Sequence, residues 1–273
     1  MNRFNISLIL LTLISVLHNT ARTQSMQLSE VIIISASSFK KNMDSDALKT
    51  FFIKEVTPTW NSGAPGTNLY LLQADRGAEN GEFLLACMAN TQKDRQNALT
   101  SGSPFTDKTF SSVVSLSSQP SDFLSDPKKF TEYNLIGATE LGPLPEIDIL
   151  GIHYIQVRKD KSEAFEIFVK EQLHPQLSQL LPDMGLFYYK AVAGEYKGSY
   201  ITIFAISSVK AREKYWPTGA SETAAVKEAF RPLNELAREL ETYLVEGSYL
   251  LPESGGAAAY FESLKWTDFV SVK

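Results

Sequence analysis

The chain has one cysteine, Cys87, and three histidines among its 273 residues. A lone thiol closes no disulfide within the chain, so stability has to come from packing. Within the run FLLACMA, Cys87 reads as a small core residue. No cluster of Lys or Arg interrupts the acidic surface implied by a net charge of −5, which argues against nucleic acid as a partner. The G-x-S-x-G, Walker A, dinucleotide G-x-G-x-x-G, H-E-x-x-H and paired-cysteine motifs are all missing. The usual hydrolase, nucleotide-hydrolysing and zinc chemistries therefore have no residues to rest on, and no metal site is expected.

What is present is ample hydrophobic material, 44% of residues with 11% aromatic, which excludes a disordered or low-complexity chain. Residues 1–25 read as a signal peptide. Arg3 leads into the apolar run from Phe4 to Leu17, and a polar stretch follows from His18 to Ser25. The run is too short for a membrane span, and no second one occurs, so the mature chain is expected to be exported without a span. Loss of Arg3 and Arg22 with this segment takes the net charge from −5 to −7.

Shifting the sequence by 117 residues aligns positions 44–95 with 161–212, and eleven of the 52 pairs are identical. They include Pro58/Pro175, Gly77/Gly194, Gly81/Gly198 and Arg95/Arg212, so turn-forming residues recur where the chain must change direction. Further on, Tyr133/Tyr243 and Gly137/Gly247 match at a shift of 110, which makes the second copy seven residues shorter. The spacing predicts two units, 26–145 and 146–273. Each reads as strand, helix, strand, strand, helix, strand. In the second, Ile147–Val157 is β-rich and residues 163–181 carry an apolar helical stripe. GLFYYKAVA and SYITIFAIS, joined by a glycine-flanked loop, predict a hairpin. A helix with Val226, Phe230, Leu236 and Leu240 on one face restarts at Pro232, and a last strand falls in WTDFVSV.

The βαββαβ order is that of a ferredoxin-like unit. The fold class predicted is α+β, with two tandem units packed sheet to sheet as an intrachain barrel. The pattern V-R-K-x-K-x-x-x-F-x-x-F-V-K-E from Val157, then G-x-F-x-Y-K and G-x-x-x-G-x-Y-I-x-I-F, resembles the dimeric α+β barrel superfamily. That superfamily includes antibiotic-biosynthesis monooxygenase-like, NIPSNAP-like and EthD-like proteins. The resemblance implies an exported small-molecule-binding protein, monomeric as a pseudo-dimer, whose partner is a small apolar or aromatic molecule. The alternatives are a cofactor-independent monooxygenase or isomerase-like enzyme on a small aromatic substrate, and a non-catalytic scaffold.

His153 alternates in register with Ile149, Gly151, Ile155 and Val157. It is either a hydrogen-bonded core histidine or a pocket residue able to move a proton; its counterpart at the 117 shift is Ala36. His174 sits in E-x-x-H with Glu171, a spacing that suits a metal helix but here reads as a cation capping a helix C-terminus. Some barrel relatives hold haem through a helical histidine, yet neither His153 nor His174 lies on the second helix, so no cofactor is expected. Tyr188, Tyr189, Tyr215, Trp216 and Phe230, with Arg158 at the rim, are the candidate ligand-binding set; the same aromatics equally suit a core. Arg95 and Arg212, retained in both copies, either bind a carboxylate or, the reading preferred, form surface ion pairs.

Overall fold

The computed structural model describes residues 29–35, 39–40, 43–77, 81–99, 102–113, 118–138, 147–180, 184–217, 223–224, 228, 231–245 and 266–272. The expected signal peptide, the boundary between units at 145/146, and Phe230 lie outside the described residues. Eight strands form one closed barrel: β1 (Val31–Ser35), β2 (Thr67–Gly77), β3 (Phe83–Ala89), β4 (Phe130–Ala138), β5 (Ile149–Ile155), β6 (Met184–Gly194), β7 (Tyr200–Ile206) and β8 (Trp266–Ser271). Their order around the wall is β1-β3-β2-β8-β5-β7-β6-β4, and every neighbouring pair is antiparallel. The halves therefore meet edge to edge at β2–β8 and β4–β6, and their inner faces pack together across the barrel. Edge pairing satisfies the backbone donors and acceptors that two facing sheets would leave open at four edges.

Alternation along each strand then dictates three cores. Inward residues such as Ile32, Tyr70, Met88, Tyr133, Ile152, Tyr189, Ile203 and Phe269 fill the barrel. Outward residues of the first half, including Ile33, Leu71 and Cys87, pack under its helices. Those of the second half, including Ile149, Tyr188 and Phe204, pack under theirs. Strands covered on both faces explain why VIIIS and YITIFAI are buried throughout.

The helical layer repeats at the offset of 117. Helix α1 runs as Ser45–Phe51, a π turn Phe52–Val56, then Thr57–Gly63. After the short helices α2 (Gln92–Ala98), α3 (Asp107–Val113) and α4 (Pro120–Phe123), helix α5 repeats α1 as Ser162–Phe168, a π turn Val169–Leu173 and His174–Leu180. The wide turn has a local cause. Pro58 and Pro175 carry no N–H and clash with a carbonyl four residues back. The residue before each proline bonds instead to the carbonyl five back, Thr57 to Phe52 and His174 to Val169. Helix α6 (Val209–Tyr215) matches α2, each capped by a hydroxyl, Ser208 and Thr91. Helix α7 (Asn234–Tyr243) follows a 3-10 turn Arg231–Leu233 holding Pro232.

The hairpins share a register as well. Thr67 opposes Ala89 and Met184 opposes Ile206, and the match continues to Gln73↔Phe83 and Lys190↔Tyr200. Two expectations need correction. Ile33 faces Cys87 while Gly151 faces Phe204, so the first strands align at an offset of 118. The counterpart of His153 is thus Ser35, not Ala36. Tyr133 lies on β4 whereas Tyr243 ends α7, so the match at 110 is not structural. The counterpart of β4 in the second half is β8: Glu132 opposes Ile33, and Asp268 opposes Gly151.

Gly194 and Gly198 both adopt left-handed backbone, with φ of 90° and 91°. A Cβ on Gly194 would collide with the Phe130 carbonyl oxygen, while one on Gly198 would meet nothing within 4 Å. Gly198→Ala is expected to lower stability by about 1 kcal/mol, the left-handed penalty alone. Gly194→Ala should lower it by about 3 kcal/mol or more, because backbone must move. Urea unfolding of the two variants checks the ranking.

Candidate functional site

Register places His153 of β5, Thr202 of β7 and Tyr188 of β6 side by side on the outer face of the second half. Helix α5 packs on the Tyr188 end of this row. Phe165 packs edge-on against Tyr188 with centroids 6.0 Å apart, and the His174 ring lies 5.3 Å from the same tyrosine. At the other end His153 lies 5.3 Å from Phe204, which meets the half-buried Trp216 at 5.9 Å. His174 also rests on the backbone of Gly137 in β4. A Cβ there would stand 2.5 Å from its Cε1, so only glycine admits the ring.

The row differs from its counterpart most at Thr202 and Tyr188, where the first half has leucines. At the equivalent places the first half has Ser35, Leu85, Leu71 and, on α1, Thr57. Thr202 is 1% exposed, and among the described residues its hydroxyl has no hydrogen-bond partner. Asn134 Oδ1, across the β4–β6 seam from Lys190, is also buried and without one. A neutral hydroxyl buried without a bond lowers stability by about 1–3 kcal/mol. Such an atom is informative because most buried polar groups are satisfied.

The imidazoles beside it carry no charge near neutral pH. Burial lowers His153 to about 3 and His174 to about 4. Nearer the surface, Glu166 Oε1 accepts from Lys190 Nζ at 2.6 Å and from the Tyr200 hydroxyl at 2.9 Å. The arrangement presents neutral donors and acceptors inside an aromatic layer, with a paired charge at its margin.

The expected ligand-binding residues do not all converge. Tyr188 and, through Phe204, Trp216 join His153. Tyr215 is buried in the same core beside Trp216, with Lys214 Nζ 4.7 Å above its ring. Tyr189 points the other way, into the barrel, where its hydroxyl donates to the Ser29 carbonyl at 2.9 Å. Adjacent strand residues face opposite sides, so Tyr188 and Tyr189 cannot line one space. Arg158 is exposed and lies 3.7 Å from Asp160. His174 is not at a helix C-terminus, since α5 continues to Leu180, and Glu171 beside it is exposed. Nor are the repeated arginines on the surface: Arg212 is 3% exposed. Thr202 was hidden in the sequence because threonine is ordinary in strands. Only its register between His153 and Tyr188 singles it out.

A histidine that is neutral when folded but titrates at 6.5 when unfolded leaves stability intact above pH 6.5. Stability is then lost as pH falls toward the folded value, because the unfolded chain binds the proton first. From pH 7 to pH 4.5, His153 and His174 should each remove about 2–3 kcal/mol. Urea midpoints at the two pH values should therefore fall less steeply for His153→Phe than for the parent chain. Equal slopes would contradict the assignment.

No protein-family model matches the sequence, and no curated protein matches it. Solved structures do. A monooxygenase-like protein of Fusobacterium nucleatum superposes with a TM-score of 0.50 at 8% identity, over 91% of this chain and 94% of that one. An anthrone oxidase-like protein gives 0.47 at 12% identity, covering 92% and 94%. Chlorite dismutase from Candidatus Nitrospira defluvii, in complex with imidazole, gives 0.45 at 10%, covering 90% and 93%. At these identities the likeness concerns the fold alone, an eight-stranded antiparallel α+β barrel.

Proposed function

We propose that this chain binds a small, largely apolar or aromatic molecule on the helix-covered outer face of its second half. The observation that carries the reading is the unpartnered Thr202 hydroxyl between His153 and Tyr188, where the first half has Leu85. A buried orphan hydroxyl weakens the fold, so its use is sought in a ligand that completes it. Tyr188, Phe165, Phe204 and Trp216 supply aromatic surface around it. Binding is favoured over proton abstraction by His153. At a value of about 3 its imidazole is a weak base at neutral pH.

The reading extends to the architecture. We take residues 1–25 as an export signal, and 26–145 and 146–273 as duplicated ferredoxin-like units that form one pseudo-dimeric chain. Coincident helix bounds, π turns and hairpin registers at an offset of 117 support the duplication. Closure within one chain leaves the barrel no free strand edge for a second copy. No described helix is long and apolar enough to cross a membrane.

Thr202→Val keeps shape and removes the hydroxyl. It should stabilise the chain by about 1–2 kcal/mol. Native mass spectrometry of protein taken from its own host should show an added small-molecule mass that the variant loses. An added mass that survives in Thr202→Val, or none in the parent, would overturn the reading. Sedimentation should give a single-chain mass; twice that mass would contradict the pseudo-dimer.

A further inference from the structure

Ion pairs bridge the two halves at the β2–β8 seam, and among the described residues none crosses the β4–β6 seam. Arg212, on α6, donates from Nη1 to Asp75 Oδ2 at 2.6 Å and to Asp268 Oδ2 at 3.1 Å. Its Nη2 reaches Glu213 Oε1 at 3.1 Å. Arg76 places Nη2 3.1 Å from the same Asp268 oxygen and donates from Nη1 to the Trp216 carbonyl at 2.8 Å. Asp268 is 2% exposed. Burial pushes its carboxyl up, and Arg76 and Arg212 oppose that push. Removing one partner from such a buried group is far more damaging than the net worth of the group.

A backbone irregularity makes the cluster possible. The register between β2 and β8 shifts between Ala74 and Arg76, leaving Asp75 as an extra residue. Successive residues of a regular strand point to opposite faces, whereas at this bulge Asp75 and Arg76 reach the same cluster. At the opposite seam β6 has the same shift, with Val192 as its extra residue and Ala193 next to it. There the backbone repeats and the charges do not. Arg95 holds Glu132 through two bonds of 3.1 and 2.8 Å, but both ends lie in the first half.

We propose that Asp75, Arg76, Arg212, Glu213 and Asp268 form a latch that holds β8 in the wall, and that the barrel opens at this seam when the latch is weakened. Strand β8 pairs at five positions on each side, against seven at the β4–β6 seam. It carries Phe269 into the barrel interior, so its release uncovers that interior. Through the Trp216 carbonyl, the latch also ties the first half to the aromatic layer around His153. This inference rests on the seam alone and is independent of the proposed ligand.

Hydrogen exchange read by mass spectrometry on the full chain tests it. In Asp268→Asn and in the milder Arg76→Met, amides of β8 and of residues 73–77 should exchange at least tenfold faster, with the β4–β6 seam unchanged. Arg95→Met, the control, should leave β8 protected. Unchanged β8 protection in a folded variant, or equal acceleration at both seams, would overturn the latch. Should neither variant fold, the parent chain in mild urea decides. There β8 must open before the β4–β6 seam, and simultaneous opening of both would refute the proposal.

Discussion

Closure of eight strands into one wall is the constraint on which the rest of this structure depends. A closed wall pairs every strand on both sides, and here helices cover its outer face as well. Most strand residues are therefore buried on either face, and any polar side chain among them must find a partner or leave an orphan. Arg95–Glu132 and the Arg212–Asp268 cluster are partnered exceptions. Among the described residues, Thr202 and Asn134 leave orphans.

The two halves share much of their backbone. Helices, π turns, hairpins and even the bulged residues Asp75 and Val192 recur at one offset. Side chains then diverge. In the first half the row is Ser35, Leu85 and Leu71; in the second it is His153, Thr202 and Tyr188. In the first half Cys87 is buried, and desolvation pushes its thiol up to about 12, which suits a packing residue. In the second half, by contrast, the imidazoles of His153 and His174 bring hydrogen-bonding groups into an otherwise aromatic layer.

Much of this architecture was legible in the sequence. Identical glycines and prolines located both hairpins and both long helices, because turns restrict residue choice more than cores do. Side-chain direction was harder to read. Strands buried on two faces lose the polar alternation that reports direction, so Tyr188 and Tyr189 looked equivalent although one faces α5 and the other the lumen. A one-residue difference in offset hid Ser35 as the partner of His153, since a slip of one reverses the face. The burial of Arg212 depends on Asp75 and Asp268, 137 and 56 residues away in the chain, a meeting no local pattern records.

The most direct test of a ligand face confined to the second half is hydrogen exchange with and without a small-molecule extract of the host. Added protection should fall on β5, β6, β7 and α5, around His153, Thr202 and Tyr188. Protection appearing instead on the matching strands β1, β2 and β3, or none anywhere, would contradict the account.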